Sequence, residues 1–201
     1  MLDKNIKRKP ASKRKENESL LDYLHDLIYI LAAVILLCLI FFRIVVVSGS
    51  SMYKTLLDGD YLLLISNMLY QQPEQGDIIV ASKKSFDGGR PIVKRVIATE
   101  GQTVDIDFEA GIVYVDGNAL AEDYTYTPTN LDEGVSFPLV VEQGHVFVLG
   151  DNRNHSRDSR SVDIGLIDKR EILGKAVVLF LPGTNGGKAD RDFARIGVLG
   201  S

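Results

Sequence analysis

An antiparallel, mostly β domain preceded by one N-terminal transmembrane α-helix is the fold class that the sequence predicts. Three observations carry it. A charge-free apolar run, "LIYILAAVILLCLIFF", extends from Leu27 to Phe42. Behind it, short runs rich in Val, Ile and Leu recur between turns built from Gly, Asp and Asn, the pattern of a Greek-key-like or barrel-like β fold. Helical periodicity is absent beyond the run, apart from one turn near Asp168–Ile172. A chain of 201 residues is expected to hold one main domain.

Residues 1–23 form a basic tail. Lys4, Lys7, Arg8, Lys9, Lys13, Arg14 and Lys15 stand against Asp3 alone in the first 15 residues, a net of +6, so the rest of a chain of overall charge −4 carries −10. A basic end on an acidic body suits an anionic surface, lipid headgroup or nucleic acid, while the body itself is a poor nucleic-acid binder. The transmembrane helix is assigned to residues 24–47, with Arg43 snorkelling to the interface. About 20 apolar residues suffice to cross a bilayer, and the lack of Pro or Gly in the run favours one continuous helix. A cleaved signal would have a shorter core of about 7–15 residues and a small-x-small exit, which this run lacks. A buried core helix would show a polar face. The positive-inside rule places the tail in the cytosol and the chain after about residue 44 outside. The protein is thus expected in the cell membrane as a single-pass chain.

Residues 48–185 are assigned to the β-rich domain. "DYLLLISNML" and "GDIIVASKK" read as strands, "QTVDIDF" and "IVYVDG" as a hairpin turning at Gly111, "GHVFVLGDN" as a strand ended by Gly150-Asp151-Asn152, and "GKAVVLFLP" as a last strand closed by Pro182. Residues from about 102 to 145 are expected to form a small appended subdomain, with 124–136 a loop within it. Residues 186–201 are Gly-rich and expected to be a flexible tail.

The composition narrows the chemistry. The single cysteine, Cys38, excludes an internal disulfide and is expected as a small buried hydrophobe. His25, His145 and His155 are scattered, no cluster has metal-ligand spacing, and neither metal nor cofactor is expected. The stretch "VVVSGSSMYKTLLDGD" offers Ser48, Ser50 and Ser51, but Tyr53 stands where a nucleophile elbow needs its second Gly. A serine nucleophile needs a base. Lysine serves if it is neutral; with the ordinary pKa of about 10.4 in water, roughly one molecule in two thousand is so at pH 7, and burial lowers that pKa by about three pH units. In "RPIVKRVIATEG", strand alternation puts Lys94 on one face with Ile92 and Val96 and turns Arg95 the other way. Against this stands the ordinary reading of a strand lysine as a solvated edge residue, and His145 and His155 leave a Ser-His pair open.

Together these motifs resemble the type I bacterial signal peptidases, in the short form typical of Gram-positive bacteria, over roughly residues 20–185. The pieces occur in order behind the span: "SGSSMYKTLLDGDYLL" is similar to the Gly-x-Ser-Met-x-Pro-Thr-Leu box, "QGDIIV" to a strand box, "VKRVIATEGQTV" to the Lys-Arg-Val box, "GDNRNHSRDSRSVDIG" to the Gly-Asp-Asn-x-x-x-Ser-x-Asp-Ser-Arg box, and "GKAVVLFLP" to the closing strand. The resemblance implies Ser51 as nucleophile, Lys94 as general base and Ser156 as the serine that orients the lysine. Asp151, Asp158 and Arg160 would hold the site together, with Arg95 a partner for Asp151. Val47, Gly49, Ile92 and Val93 would bind substrate as an added β-strand, and Met52 and Leu56 would line the pocket for a small side chain. Ser48 and Ser50 keep the reading of a polar turn.

Three positions depart from the family pattern. Gly49 stands where Gram-negative relatives carry the hydroxyl of a second oxyanion donor, Lys54 replaces the usual Pro, and "IATEGQ" replaces the common Val-Gly-x-Pro-Gly-Asp. The implied activity is a membrane-anchored serine endopeptidase that removes signal peptides from exported pre-proteins without metal or cofactor. Its implied surroundings are the lipid bilayer, near the protein export channel, and no nucleic acid. The alternative is a non-catalytic relative that assembles surface fibres, against which Ser51 and Lys94 argue. A self-cleaving repressor-type protease would carry a DNA-binding domain in place of residues 24–47.

Overall fold

A computed structural model describes residues 11–184 and 191–200. Residues 1–10 of the expected basic tail, and 185–190 and 201 at the other end, lie outside the described residues. The chain divides into two units, residues 1–40 and 41–201.

The first unit is helix α1, Ala11–Phe41. Its segment Leu20–Phe41, 22 residues of mean hydropathy 2.5, is long and apolar enough to cross a membrane, and none of it is buried. At 1.5 Å per residue it measures about 33 Å, close to the thickness of a hydrocarbon core. Two expectations need correction here. Residues 42–46 are strand, not helix, because β-branched Ile44, Val45 and Val46 find a hydrogen-bonding partner strand. Cys38 is exposed on the helix surface, since its side chain projects from a helix that covers itself with no protein neighbour.

The second unit holds two antiparallel sheets. The larger is built from β1 (Phe42–Val46), β2 (Tyr61–Ser66), β3 (Ile78–Ala81), β4 (Ile92–Thr99), β9 (His145–Leu149), β10 (Ile167–Asp168), β11 (Ile172–Leu181) and β12 (Gly197–Val198). Its order is β1-β2-β11-β3-β4-β9-β10, with β12 added beside β11. The smaller holds β5 (Thr103–Asp107), β6 (Ile112–Val115), β7 (Asn118–Ala119) and β8 (Leu139–Val140) in the order β7-β6-β5-β8. It occupies the stretch expected as a subdomain. In β2, Leu62, Leu64 and Ser66 are buried in strict alternation, as a strand with one face on a core requires. In β5 the buried pair is Val104 and Ile106, while Asp105 and Asp107 face water.

Three apolar clusters fill the unit. Val47, Met52, Leu56, Leu62 and Leu64 pack with Ile78, Val80, Ala176 and Leu179. Ile97 and Phe147 pack against the small sheet. Ile79, Val96, Val148 and Ile172 form the third. β4 is therefore covered on both faces, and its residues Lys94 to Ala98 are all buried. Residues 191–200 are not the loose tail expected: β12 pairs with Val178 and Leu179, and Arg195 forms a charged contact with the buried Asp60 carboxylate, Nη1 to Oδ1 2.9 Å. The expected turn near Asp168 is a short 3-10 helix, Lys169–Glu171, closed by a capping box from Asp168 and Glu171.

Candidate active site

Edge strand β1 runs directly into the turn that carries Ser51. Val47 still pairs with the β2 side, its N–H donating to the Asp60 carbonyl at 2.8 Å. The turn then folds over the first cluster, with Met52 and Leu56 as its buried anchors. Gly49 makes this possible: its φ of +90° is one that L side chains rarely adopt, although a Cβ there would meet nothing within 4 Å. A side chain here would meet backbone strain, not crowding. The Gly49 N–H is held by Asp58 Oδ1 at 2.8 Å. Among the described residues the Ser51 N–H donates to nothing, which leaves it available to a developing oxyanion.

Lys94 reaches this turn from β4. Its Nζ donates to Ser51 Oγ at 2.9 Å and to the Val93 carbonyl at 2.9 Å. The lysine is 4% exposed. Burial pulls its pKa down to about 8, against the pull of Asp158, Asp151 and Glu133 in the opposite direction. A large fraction is therefore neutral in weakly alkaline water, which a solvated lysine cannot match. Neither later histidine competes: His155 is exposed, and His145 Nδ1 lies 2.9 Å from the Gln143 carbonyl.

The segment after β9 supports both groups. Asp151, fully buried, takes a two-point contact from Arg95, Nε to Oδ1 2.9 Å and Nη2 to Oδ2 2.8 Å, and a hydrogen bond of 2.5 Å from Thr55 Oγ1. One carboxylate thus ties the nucleophile's turn to the neighbour of the base. Arg95 stacks beneath Tyr124, 4.0 Å from guanidinium carbon to ring centre. Asp158 and Arg160 form a second buried pair, Nε to Oδ1 2.8 Å, and Asp158 Oδ2 also accepts from the Gly150 N–H at 3.0 Å. Such pairs are costly to bury, and removing one partner leaves a charge uncompensated. Their arrangement fixes geometry more than it adds stability.

Ser156 is 4% exposed, beside Ser51 but not bonded to the lysine: its Oγ has no hydrogen-bond partner among the described residues. A cleft of about 400 Å³ opens along Val45–Ser48, Ser51, Ile92–Lys94 and Arg157. Val47, Ile92 and Val93 line it, whereas Met52, Leu56 and Gly49 do not. Met52 and Leu56 are 1% and 0% exposed and back the cleft from within the core. Lys54 is exposed.

Sequence reasoning missed several contributors. Asn152 clamps the turn, donating N–H to the Ser51 carbonyl at 2.9 Å and Nδ2 to the Ser50 carbonyl at 3.0 Å. Arg153 is fully buried and bonds Thr129 Oγ1 at 2.6 Å and Glu122. At Gly150 a Cβ would lie 2.2 Å from Ser156 Oγ and 2.5 Å from the Ser51 carbonyl oxygen. The loop 124–136 also belongs here: Tyr126 sets its ring edge-on to Tyr53, centres 4.7 Å apart. Its composition alone gave no signal, but Gly150, Asn152 and Arg153 lie inside the "GDNRNHSRDSR" stretch already singled out.

The family described as "Signal peptidase, peptidase S26" matches residues 20–181. The probable signal peptidase I-1 of Synechocystis sp. is 37% identical over 150 residues, covering 71% of this chain and 72% of that protein. Signal peptidase I T of Bacillus subtilis is 34% identical over 191 residues, covering 90% and 94%. Signal peptidase I of Bacillus licheniformis is 31% identical over 182 residues, covering 85% and 93%.

Proposed function

The chain belongs to the signal peptidase family, peptidase S26, and we propose that Ser51 and Lys94 are the dyad with which it cuts. It is a membrane-anchored serine endopeptidase that removes signal peptides from pre-proteins. The observation that carries the dyad is the 2.9 Å contact between Ser51 Oγ and a buried lysine whose pKa is about 8.

Neutral Lys94 Nζ takes the proton of Ser51 Oγ as the oxygen bonds to the scissile carbonyl carbon. The Ser51 N–H faces the oxygen on which charge develops. Lys94 then gives its proton to the departing amine, the C–N bond breaks, and an ester to Ser51 remains. A water that loses its proton to Lys94 attacks the ester, the bond to Ser51 Oγ breaks as Lys94 returns that proton to the oxygen, and the signal peptide leaves. Asn152 and Asp151 hold the turn during both steps. Val47, Ile92 and Val93 receive the substrate backbone along the cleft.

The basic tail places the N-terminus in the cytosol and the β domain outside. Ser51 follows Phe42 by only nine positions, so the site stays within about 30 Å of the span's end along the chain. That is where a signal peptide emerges, beside the protein export channel.

The test is cleavage of a pre-protein with an Ala-x-Ala exit by the full chain in detergent. Ser51→Ala and Lys94→Ala are expected to lose activity entirely, and wild-type turnover is expected to rise as pH climbs through about 8. Retained cleavage in either variant, or a rate flat from about pH 5 to 9, refutes the dyad.

A further inference from the structure

Asn152 holds both peptide units that flank the nucleophile. Its Nδ2 donates to the Ser50 carbonyl at 3.0 Å, and its own N–H donates to the Ser51 carbonyl at 2.9 Å. The Ser50 carbonyl also accepts from the Tyr53 N–H at 3.1 Å, so both of its lone pairs are engaged. Asn152 is anchored in turn: it is 5% exposed, and its carbonyl accepts from the His155 N–H at 2.9 Å. Its Oδ1 is shut off from solvent and has no hydrogen-bond partner among the described residues. Such an orphan is costly and calls for a reason. Turning the amide over would set Oδ1 against the Ser50 oxygen, and two acceptors repel. The orientation that orphans Oδ1 is thus the one that puts a donor on the Ser50 carbonyl.

The Ser50 carbonyl and the Ser51 N–H are the two ends of one peptide unit. That unit is planar and trans, so they point in opposite directions. Whatever fixes the carbonyl therefore fixes the N–H. The Ser51 N–H donates to nothing among the described residues, and Ser51 lines the cleft. Gly49 has no hydroxyl to add to it. A donor on the carbonyl side also polarises the peptide and strengthens its N–H as a donor.

We propose that Asn152 is the residue that positions the oxyanion donor: its two hydrogen bonds, to the carbonyls of Ser50 and Ser51, aim the Ser51 N–H at the scissile carbonyl oxygen as that oxygen becomes charged. It touches neither the substrate nor the proton, which passes from Ser51 Oγ to Lys94 Nζ. Its effect is confined to charge that exists only in the transition state, so it acts on kcat and leaves substrate binding alone. The pH at which Lys94 becomes neutral is likewise untouched, because Asn152 is uncharged and bonds neither Ser51 Oγ nor Lys94. The proposal rests on the Ser51–Lys94 reading above.

Two measurements on the full chain in detergent micelles test it. Ser50–Ser51 is the one Ser-Ser pair in the sequence, so a chain isotope-labelled in serine alone gives one carbonyl-to-amide NMR signal, that of this peptide unit. In Asn152→Ala the Ser50 carbonyl carbon is expected to move upfield as it loses a donor, and the Ser51 amide nitrogen to move with it. Asn152→Leu, which fills the space without a donor, is expected to do the same and serves if the Ala variant does not fold. In pre-protein cleavage, kcat and kcat/KM are expected to fall together by about 10- to 100-fold in both variants. That is a smaller loss than removal of an oxyanion donor outright, and KM and the pH midpoint near 8 are expected to hold at wild type. An unmoved carbonyl signal, a kcat near wild type, or a loss that appears in KM or in the pH midpoint overturns the proposal. Retained cleavage by Ser51→Ala refutes the dyad reading and the proposal together; an inactive Ser51→Ala beside a fully active Asn152→Ala overturns the proposal alone.

Discussion

Replacing Lys94 with Met is expected to stabilise the fold while abolishing the activity. Burial brings the lysine from 10.5 to about 8, and each pH unit of that change corresponds to about 1.4 kcal/mol. Below pH 8 the folded wild type therefore carries a penalty of about 3 kcal/mol for holding an ammonium in its core. Met fills a similar volume without a charge. It gives up the hydrogen bonds to Ser51 and to the Val93 carbonyl, at about 1 kcal/mol each in net terms. The variant should be more stable by about 1 kcal/mol at pH 7. The sign of the pH dependence follows from linkage. The folded pKa lies below the unfolded one, so between them the unfolded chain binds more protons and wild-type stability rises with pH. The advantage of Lys94→Met should be full below about pH 8 and gone by about pH 10.5. Chemical denaturation of both chains in the same detergent at pH 7 and pH 10 measures it. A variant less stable than wild type at pH 7, or an advantage that does not shrink at pH 10, refutes the assignment of Lys94 as a buried, destabilised cation.

Two further outcomes test the supporting residues. Arg95→Ala leaves Asp151 as a buried, unpaired carboxylate, so a loss of about 3–5 kcal/mol is expected in denaturation; an unchanged midpoint would show that the pair is not buried as described. Gly150→Ala places a methyl 2.5 Å from the Ser51 carbonyl oxygen, which must displace the nucleophile's turn, at a cost of about 1–3 kcal/mol. Cleavage by that variant should fall at least tenfold, since misplacing a reacting group by about 1 Å costs about a hundredfold; near wild-type turnover would refute the need for that close approach.

Much of the fold was legible because it rests on local pattern. The alternation in Tyr61–Ser66 and Thr103–Asp107, the turn at Gly111 and the charge-free run before Phe42 each depend on neighbours a few residues apart. The C-terminal tail was misread for the converse reason. Its Gly-rich composition says nothing of the Arg195–Asp60 contact or of the pairing with Val178, which hold residues 191–200 in place. The helix end was misplaced because Ile44, Val45 and Val46 suit lipid and strand equally, and only the partner strand decides between them. Met52 and Leu56 were expected in the pocket from the family resemblance, yet they pack into the core.

By itself the sequence determined the order of its boxes behind one apolar helix, and with it the candidate pair Ser51 and Lys94. That information is linear: residue type, spacing and a period of two. The tertiary structure alone decided that the lysine is buried deeply enough to fall to about 8, and that Asp151 joins Thr55, 96 residues before it, to Arg95, 56 residues before it. It also decided that the featureless loop 124–136 brings Tyr124 and Tyr126 to the site. A pKa depends on what surrounds a group in space, and those surroundings come from strands and loops that the sequence does not place side by side.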